Sequence, residues 1–278
     1  GPEFDVIPLH EPFAPMLPLS VLNASPSANV GTFHASGERS LSYAASRKLL
    51  NWLAQRLTAR VAVSQAAADF ARRYFAGDYT IIPNGVDTHR FTTVIDPLPQ
   101  WHDGRPTVLF VGRFEEPRKG FAILLAAFAQ VQRILPAARL LVVGWGDPAP
   151  FQDQAAALGI HSLHFVGPVA ADELPRYYRS ADVFCAPSTG QESFGIILVE
   201  AMSSGCPVVA SNIAGYAQVV THRYDGLLVP ALNANALAVA LLQVLGDLLH
   251  AAQISDVIIG ARQMDVQRVL RPYRRGRD

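Results

Sequence analysis

The feature that most constrains this chain is a repeated exchange between short apolar, β-branched runs and amphipathic stretches of helical length. The runs fall at residues 4–7, 30–33, 61–63 and 79–82, then at 107–111, 140–143, 163–166, 183–185, 207–210 and 227–229. They are near-continuous rather than alternating, the pattern of parallel strands covered on both faces. Helices are expected over 40–57, 64–75, 120–135, 148–158, 171–180 and 233–249. Ser64 stands where an N-cap belongs, and Asp147 precedes Pro148 at a first helical position. Strand–helix alternation of this kind makes βαβ units, hence an α/β protein with open, doubly wound parallel sheets.

The 278 residues suit two domains. Residues 92–106, with three prolines, a glycine and no periodicity, read as a linker. The expected organisation is the C-terminal part of one Rossmann-like domain over 1–91, the linker 92–106, a complete Rossmann-like domain over 107–250, and a C-terminal helix with an arginine-rich tail over 251–278. Half of the residues are apolar and 17% charged, which excludes a disordered chain. Zero net charge supplies no field directed at nucleic acid. Two cysteines exclude a disulfide framework or a four-cysteine zinc site; Cys185 and Cys206 sit in apolar runs and read as core packing, and no metal site is expected. No apolar run is long enough to span a bilayer. The chain begins without methionine, which fits processing, a vector-derived remnant at Gly1-Pro2-Glu3-Phe4, or a shortened chain.

The chemistry is narrowed first by what is missing. No Gly-x-Gly-x-x-Gly follows a strand, and there is no Walker loop, Gly-x-Ser-x-Gly elbow or Asp-x-Asp. Two segments remain. Gly112-Arg113-Phe114-Glu115-Glu116-Pro117-Arg118-Lys119-Gly120 follows the strand at 107–111 and opens a helix. Arg113 and Lys119 there suit an anion near a helix's positive end, or else a solvated basic turn. Of 23 basic residues only Lys48 and Lys119 are lysine, and an ammonium serves a diphosphate differently from a guanidinium. Gly190-Gln191-Glu192-Ser193-Phe194-Gly195 leads into a helix that contains Glu200. Amides around Phe194 and Gly195 suit a phosphate, and the two carboxylates suit hydroxyls on either side of it. The bland alternative makes Glu192 a helix cap and Glu200 an exposed helix residue.

Together with Ile82-Pro83-Asn84-Gly85-Val86-Asp87, Ser180-Ala181-Asp182 and Gly205-Cys206-Pro207-Val208-Val209-Ala210-Ser211, these segments resemble the family 4 retaining glycosyltransferases of GT-B architecture. The resemblance covers nearly the whole chain. Within the family it is most similar to the phosphatidylinositol mannosyltransferases, through Leu9-His10-Glu11-Pro12, Thr32-Phe33-His34-Ala35-Ser36 and Glu116-Pro117-Arg118-Lys119-Gly120. It implies two Rossmann-like domains with the N-terminal one incomplete, because nothing in residues 1–40 supplies the Gly-rich loop found after the family's first strand.

The resemblance further implies transfer of a hexose, mannose from GDP-mannose, with retention onto a hydroxyl of phosphatidylinositol or a related lipid. Arg113 and Lys119 would hold the diphosphate, Glu192 the sugar and Glu200 the ribose. Gly112, Arg118, Ser193, Phe194, Gly195 and Ile196 would complete the donor site, with Gly144, Gly146 and Val169 shaping the base pocket. His34, by itself as readily a structural histidine, would lie beside sugar and acceptor. The catalytic set is then His34, Arg113, Lys119 and Glu192. No enzymic nucleophile is evident, so the departing phosphate would accept the acceptor's proton. No cofactor is required, with Mg2+ as an optional stimulant.

Seven basic residues against one acid over 39–73, beside Leu49, Leu50, Trp52 and Leu53, suit an anionic lipid surface or an ordinary wet helix face. The implied location is cytoplasmic, peripheral on the cytoplasmic leaflet, with a nucleotide sugar and a lipid acceptor as partners and no nucleic acid. Two other readings stand beside this one: a fragment that only binds nucleotide sugar, and another GT-B enzyme such as a nucleotide-sugar epimerase or a phosphorylase.

Overall fold

The computed structural model describes residues 4–37 and 39–258, which form two compact units. The first comprises the residues up to Gly85 with Gly190–Gly195 and Ala214–Val219; the second comprises Val86–Thr189, Ile196–Ile213 and the described residues from Val220 on. The expected arginine-rich tail lies outside the described residues, as do Gly1-Pro2-Glu3.

In the first unit the order is β1 (Val6–His10), α1 (Leu17–Ala24), β2 (Ala28–Phe33), α2 (Leu41–Ala45), α3 (Arg47–Ala54), β3 (Leu57–Ala62), α4 (Gln65–Arg72) and β4 (Thr80–Ile81). The strands form a parallel sheet in the order β1-β2-β3-β4. The rings of Phe13, Phe33, Phe75 and Tyr79 make its aromatic core, with centroids 4.4–6.3 Å apart. Ser64 caps α4, its Oγ accepting from the Ala67 amide at 3.0 Å.

Three expectations change here. The helix expected over 40–57 is two helices, broken at Ser46 (φ −92°, ψ 7°). Leu57 belongs to β3, which starts ahead of the apolar run at 61–63 because Thr58-Ala59-Arg60 is part of the strand but carries no apolar signal. β2 alternates half-buried and buried residues, so this sheet is better covered on one face than the other, not equally on both.

The second unit runs β5 (Thr107–Val111), α5 (Phe121–Ile134), β6 (Arg139–Val143), α6 (Ala149–Ala157), β7 (Leu163–Gly167), α7 (Leu174–Ser180), β8 (Val183–Ala186), α8 (Ile196–Ser203), β9 (Val208–Ser211), β10 (Leu227–Val229) and α9 (Ala234–Ile258). Its six strands are parallel in the order β10-β9-β8-β5-β6-β7. β6, β8 and β9 are buried along their whole length, as their unbroken apolar runs require. Leu124, Phe128 and Val131 recur on one face of α5 and are fully buried, each contributing about 1.5–3 kcal/mol. After β5 the chain builds outward through β6 and β7, then returns to place β8 on the other side of β5. The topological switch therefore lies between β5 and β8, and open α/β sheets bind ligands at the carboxyl ends of strands flanking such a point.

Residues 92–106, expected as a linker, pack on the second unit. The Leu98 amide donates to Ser180 Oγ at 2.8 Å, and Asp103 takes both terminal nitrogens of the buried Arg139 at 2.7 and 3.0 Å.

Candidate functional site

The loop leaving β5 and the start of the loop leaving β8, as far as Thr189, open on the switch point. The first is organised around Glu116, which binds Arg113 Nη1 at 3.2 Å and Arg118 Nη2 at 2.7 Å. Burial pushes the Glu116 carboxyl upward, but Arg118, Arg113 and Lys119 together hold it below the ordinary range, so it stays ionised and fixes both guanidinium groups. Arg113 remains 72% exposed and projects its charge outward. Pro117–Lys119 forms a single 3-10 turn that sets Lys119 just ahead of α5. A second tie, Glu115 Oε1 accepting from the Asp147 amide at 2.5 Å, fastens this loop to the one after β6.

The β5 and β8 loops are joined directly: the Thr189 amide donates to the Arg118 carbonyl at 2.8 Å. Gly120 makes this approach feasible. It sits at φ 70°, and a Cβ there would lie 2.0 Å from the Pro187 carbonyl oxygen. Gly144 has a comparable duty, since its Cβ would meet the Gly112 carbonyl at 2.0 Å, while one on Gly146 would enter the Phe114 ring. Of these two glycines, expected to shape a base pocket, Gly144 is required by backbone packing at the ends of β5 and β6 and Gly146 by the Phe114 ring. Beside them Trp145 is an exposed indole (66%) that sequence reasoning passed over. Val169 is half-buried beyond the end of β7.

The loop after β8 runs through Gly190–Gly195 into α8. Gln191 holds φ 59°, a left-handed conformation that costs a non-glycine residue about 1 kcal/mol. Glu192 and Ser193 are half-buried, Phe194 is buried and Ile196 is exposed at 42%. A Cβ on Gly215 would lie 2.0 Å from the Glu192 carbonyl oxygen, so Gly215 sets how closely its segment lies against this loop. Glu200 is not an exposed helix residue. It is half-buried in α8 with Oε2 accepting from the buried Tyr178 hydroxyl at 2.9 Å. Burial raises its carboxyl pKa, with Tyr178 and Arg90 opposing.

In the first unit, His34 follows the carboxyl end of β2, beside the end of β1. Its Nε2 is 2.7 Å from His10 Nδ1. Glu11 Oε1 accepts from the amides of His34 (2.6 Å) and Ala35 (2.5 Å), and its Oε2 receives a long 3.5 Å bond from the Tyr43 hydroxyl. Burial pushes the Tyr43 hydroxyl up to about 12, reinforced by Glu11. His10, Glu11 and Tyr43 were not among the expected site residues. The available signal was the adjacency of a histidine and a carboxylate at the end of a strand, closed by Pro12.

On the basic stretch 39–73, Leu50 and Leu53 are buried while Leu49 and Trp52 are exposed, with Arg56 over the Trp52 ring at 5.5 Å. Among the described residues no helix is long and apolar enough to cross a membrane, and no cluster of three His, Cys, Asp or Glu side chains could hold a metal ion.

Comparison with known proteins places these features. Residues 105–247 match the family described as glycosyl transferases group 1, and residues 2–90 match glycosyltransferase family 4. The chain is 40% identical over 270 residues to a phosphatidyl-myo-inositol mannosyltransferase of Mycobacterium tuberculosis (strain H37Rv), covering 95% of this chain and 70% of that one. It is 33% identical over 190 residues to a GDP-mannose-dependent alpha-(1-6)-phosphatidylinositol monomannoside mannosyltransferase of M. tuberculosis, covering 62% and 48%. Among solved structures, a sucrose-phosphate synthase from Thermosynechococcus elongatus superposes with a TM-score of 0.73 at 27% identity, over 88% of this chain and 65% of that one. Anabaena HepE in complex with UDP-glucose superposes with a TM-score of 0.72 at 25% identity, over 97% and 77%. Two parallel-sheet units and these neighbours make the architecture GT-B.

Proposed function

Because the chain belongs to the group 1 and family 4 glycosyltransferases, we propose that it moves mannose from GDP-mannose, with retention, onto a hydroxyl of phosphatidylinositol or a related lipid. The observation that carries this reading is the pair of loops at the β5/β8 switch, tied through Arg118 and Thr189 and furnished with Arg113, Arg118 and Lys119. A nucleotide sugar's diphosphate is the ligand such a cationic crevice suits. The GDP-mannose dependence named for one mycobacterial relative, and the phosphatidylinositol compounds named for both, favour the same donor and acceptor here.

In this reading Lys119 and Arg113 neutralise the charge that grows on the leaving diphosphate, the kind of electrostatic stabilisation that is usually the largest catalytic contribution in enzymes. Arg118, Gly112, Ser193, Phe194, Gly195 and Ile196 complete the donor cradle, with Glu192 orienting the sugar hydroxyls. Glu200 accepts from the ribose with the oxygen that Tyr178 leaves available. Trp145 offers an exposed flat face for the base. The sugar passes through an oxocarbenium-like state, and the departing phosphate takes the proton of the incoming hydroxyl on the face it vacates. His34 stands beside that hydroxyl. Leu49 and Trp52, with Arg47, Lys48 and Arg56 close by in sequence, support contact with an anionic membrane surface, where such an acceptor resides.

Incubation with radiolabelled GDP-mannose and phosphatidylinositol vesicles tests the reading, with the anomeric configuration of the product read by NMR. Labelled lipid of retained configuration is expected, and Lys119→Ala should cut turnover roughly 100-fold or more. Glu192→Gln should also lose most turnover. Saturable donor binding without any transfer would instead leave a nucleotide-sugar-binding module.

A further inference from the structure

The imidazoles of His10 and His34 meet at 2.7 Å with ring centroids 5.0 Å apart, at neighbouring carboxyl ends of β1 and β2. This contact is built rather than incidental. Glu11 is held at φ 49°, an unfavourable region for a non-glycine residue, and there its Oε1 gathers the amides of His34 and Ala35. Those two charge-assisted bonds fix the backbone from which His34 projects.

We propose that His10 is a positioning residue for His34, holding the single proton between the two imidazoles and so dictating the state of the nitrogen that His34 presents to a substrate hydroxyl. The proposal rests on the reading of His34 as a site residue. Two bare nitrogens at 2.7 Å would repel, and two N–H groups would clash, so one proton lies between Nδ1 of His10 and Nε2 of His34. With that proton on His34 Nε2, the His34 Nδ1 of a neutral ring is bare and accepts; with it on His10 Nδ1, the His34 Nδ1 carries hydrogen and donates. Either way the outward nitrogen is set through His10.

Among the described residues, Glu11 from the end of β1 faces the pair and Tyr43 from α2 donates to Glu11, while Arg73 beyond α4 donates to the Gly37 carbonyl. Glu11 favours one positive charge on the pair, and a second would break the bond. Burial lowers the His34 pKa; Glu11 acts against this and the His10 charge adds to it.

The test is nitrogen NMR of the 278-residue chain labelled in its histidine rings, for the parent and for His10→Phe and His10→Asn. In the parent, His34 should show one dominant tautomer, and its own protonation should need a pH below the ordinary histidine range. In His10→Phe, His34 should become a tautomer mixture that titrates as a lone imidazole. kcat should fall roughly tenfold or more with the donor KM unchanged, and the acid limb of the rate profile should move. His10→Asn, which retains a hydrogen-bonding group, should recover part of the loss and guards against a folding defect in the phenylalanine variant. Unchanged His34 resonances and titration in both variants would overturn the proposal. Parental transfer by His34→Ala would overturn the reading of His34 as a site residue instead.

Discussion

At the scale of single residues, the account rests on a few atoms whose removal has separable effects. Gly120 and Gly159 share a left-handed backbone, φ 70° and 74°, but a Cβ on Gly120 would strike the Pro187 carbonyl whereas one on Gly159 meets nothing within 4 Å. Gly159→Ala should therefore cost only about 1 kcal/mol, the price of the conformation. Gly120→Ala should cost more and force the β5 and β8 loops apart. Denaturant melts alongside GDP-mannose titrations distinguish the two: donor binding should survive the first substitution and be lost in the second. Tyr178→Phe removes the hydrogen bond that lowers the Glu200 pKa while leaving the burial that raises it. The carboxyl then protonates at higher pH, so the acid-side loss of donor binding should move upward, with affinity at neutral pH weaker by roughly 3- to 10-fold. An unmoved binding–pH profile would detach Tyr178 from the site.

At the scale of elements, what was legible follows burial. Strands covered on both faces, such as β6, β8 and β9, announce themselves as unbroken apolar runs, and their helices follow by spacing. β3 hides its first residues because it lies in the less covered sheet, and α1 gives little signal because Pro18 opens a short helix with one buried residue, Leu22. The cationic loop was readable because its residues are contiguous. The support from Glu11, His10, Tyr178 and Gly215 was not, because parallel pairing and helix packing bring them in from 22 to 24 residues away. The segment 92–106 shows the same limit: its prolines read as a spacer, yet Asp103 and Ser180 hold it to the second unit. The hydrogen bond from Arg139 holds the Asp103 carboxyl below its ordinary range against a small effect of burial. Asp103 therefore adds stability that is full above the usual aspartate range and is lost as pH falls through the lowered value. Asp103→Asn should lower Tm by a few degrees at neutral pH, and the gap to the parent should close in acid; a gap independent of pH would contradict the ion pair's role.

At the scale of the whole molecule, two units of one architecture hold distinct duties in the same proposed reaction. In the proposed reaction the second would hold the diphosphate through Arg113 and Lys119 after β5, and the first carries the His10–Glu11–His34 cluster at the carboxyl ends of its strands. That division predicts that Lys119 substitutions weaken donor affinity as well as turnover, while substitutions in the His10–Glu11–His34 cluster act on turnover alone. Calorimetric titration of GDP-mannose into the parent, Lys119→Ala and His34→Ala tests this most directly. The expected result is saturable binding by the parent and by His34→Ala, weakened roughly tenfold to a hundredfold in Lys119→Ala. Equal affinity in Lys119→Ala and the parent, or no binding by the parent, would contradict the assignment of the donor site to the β5/β8 crevice.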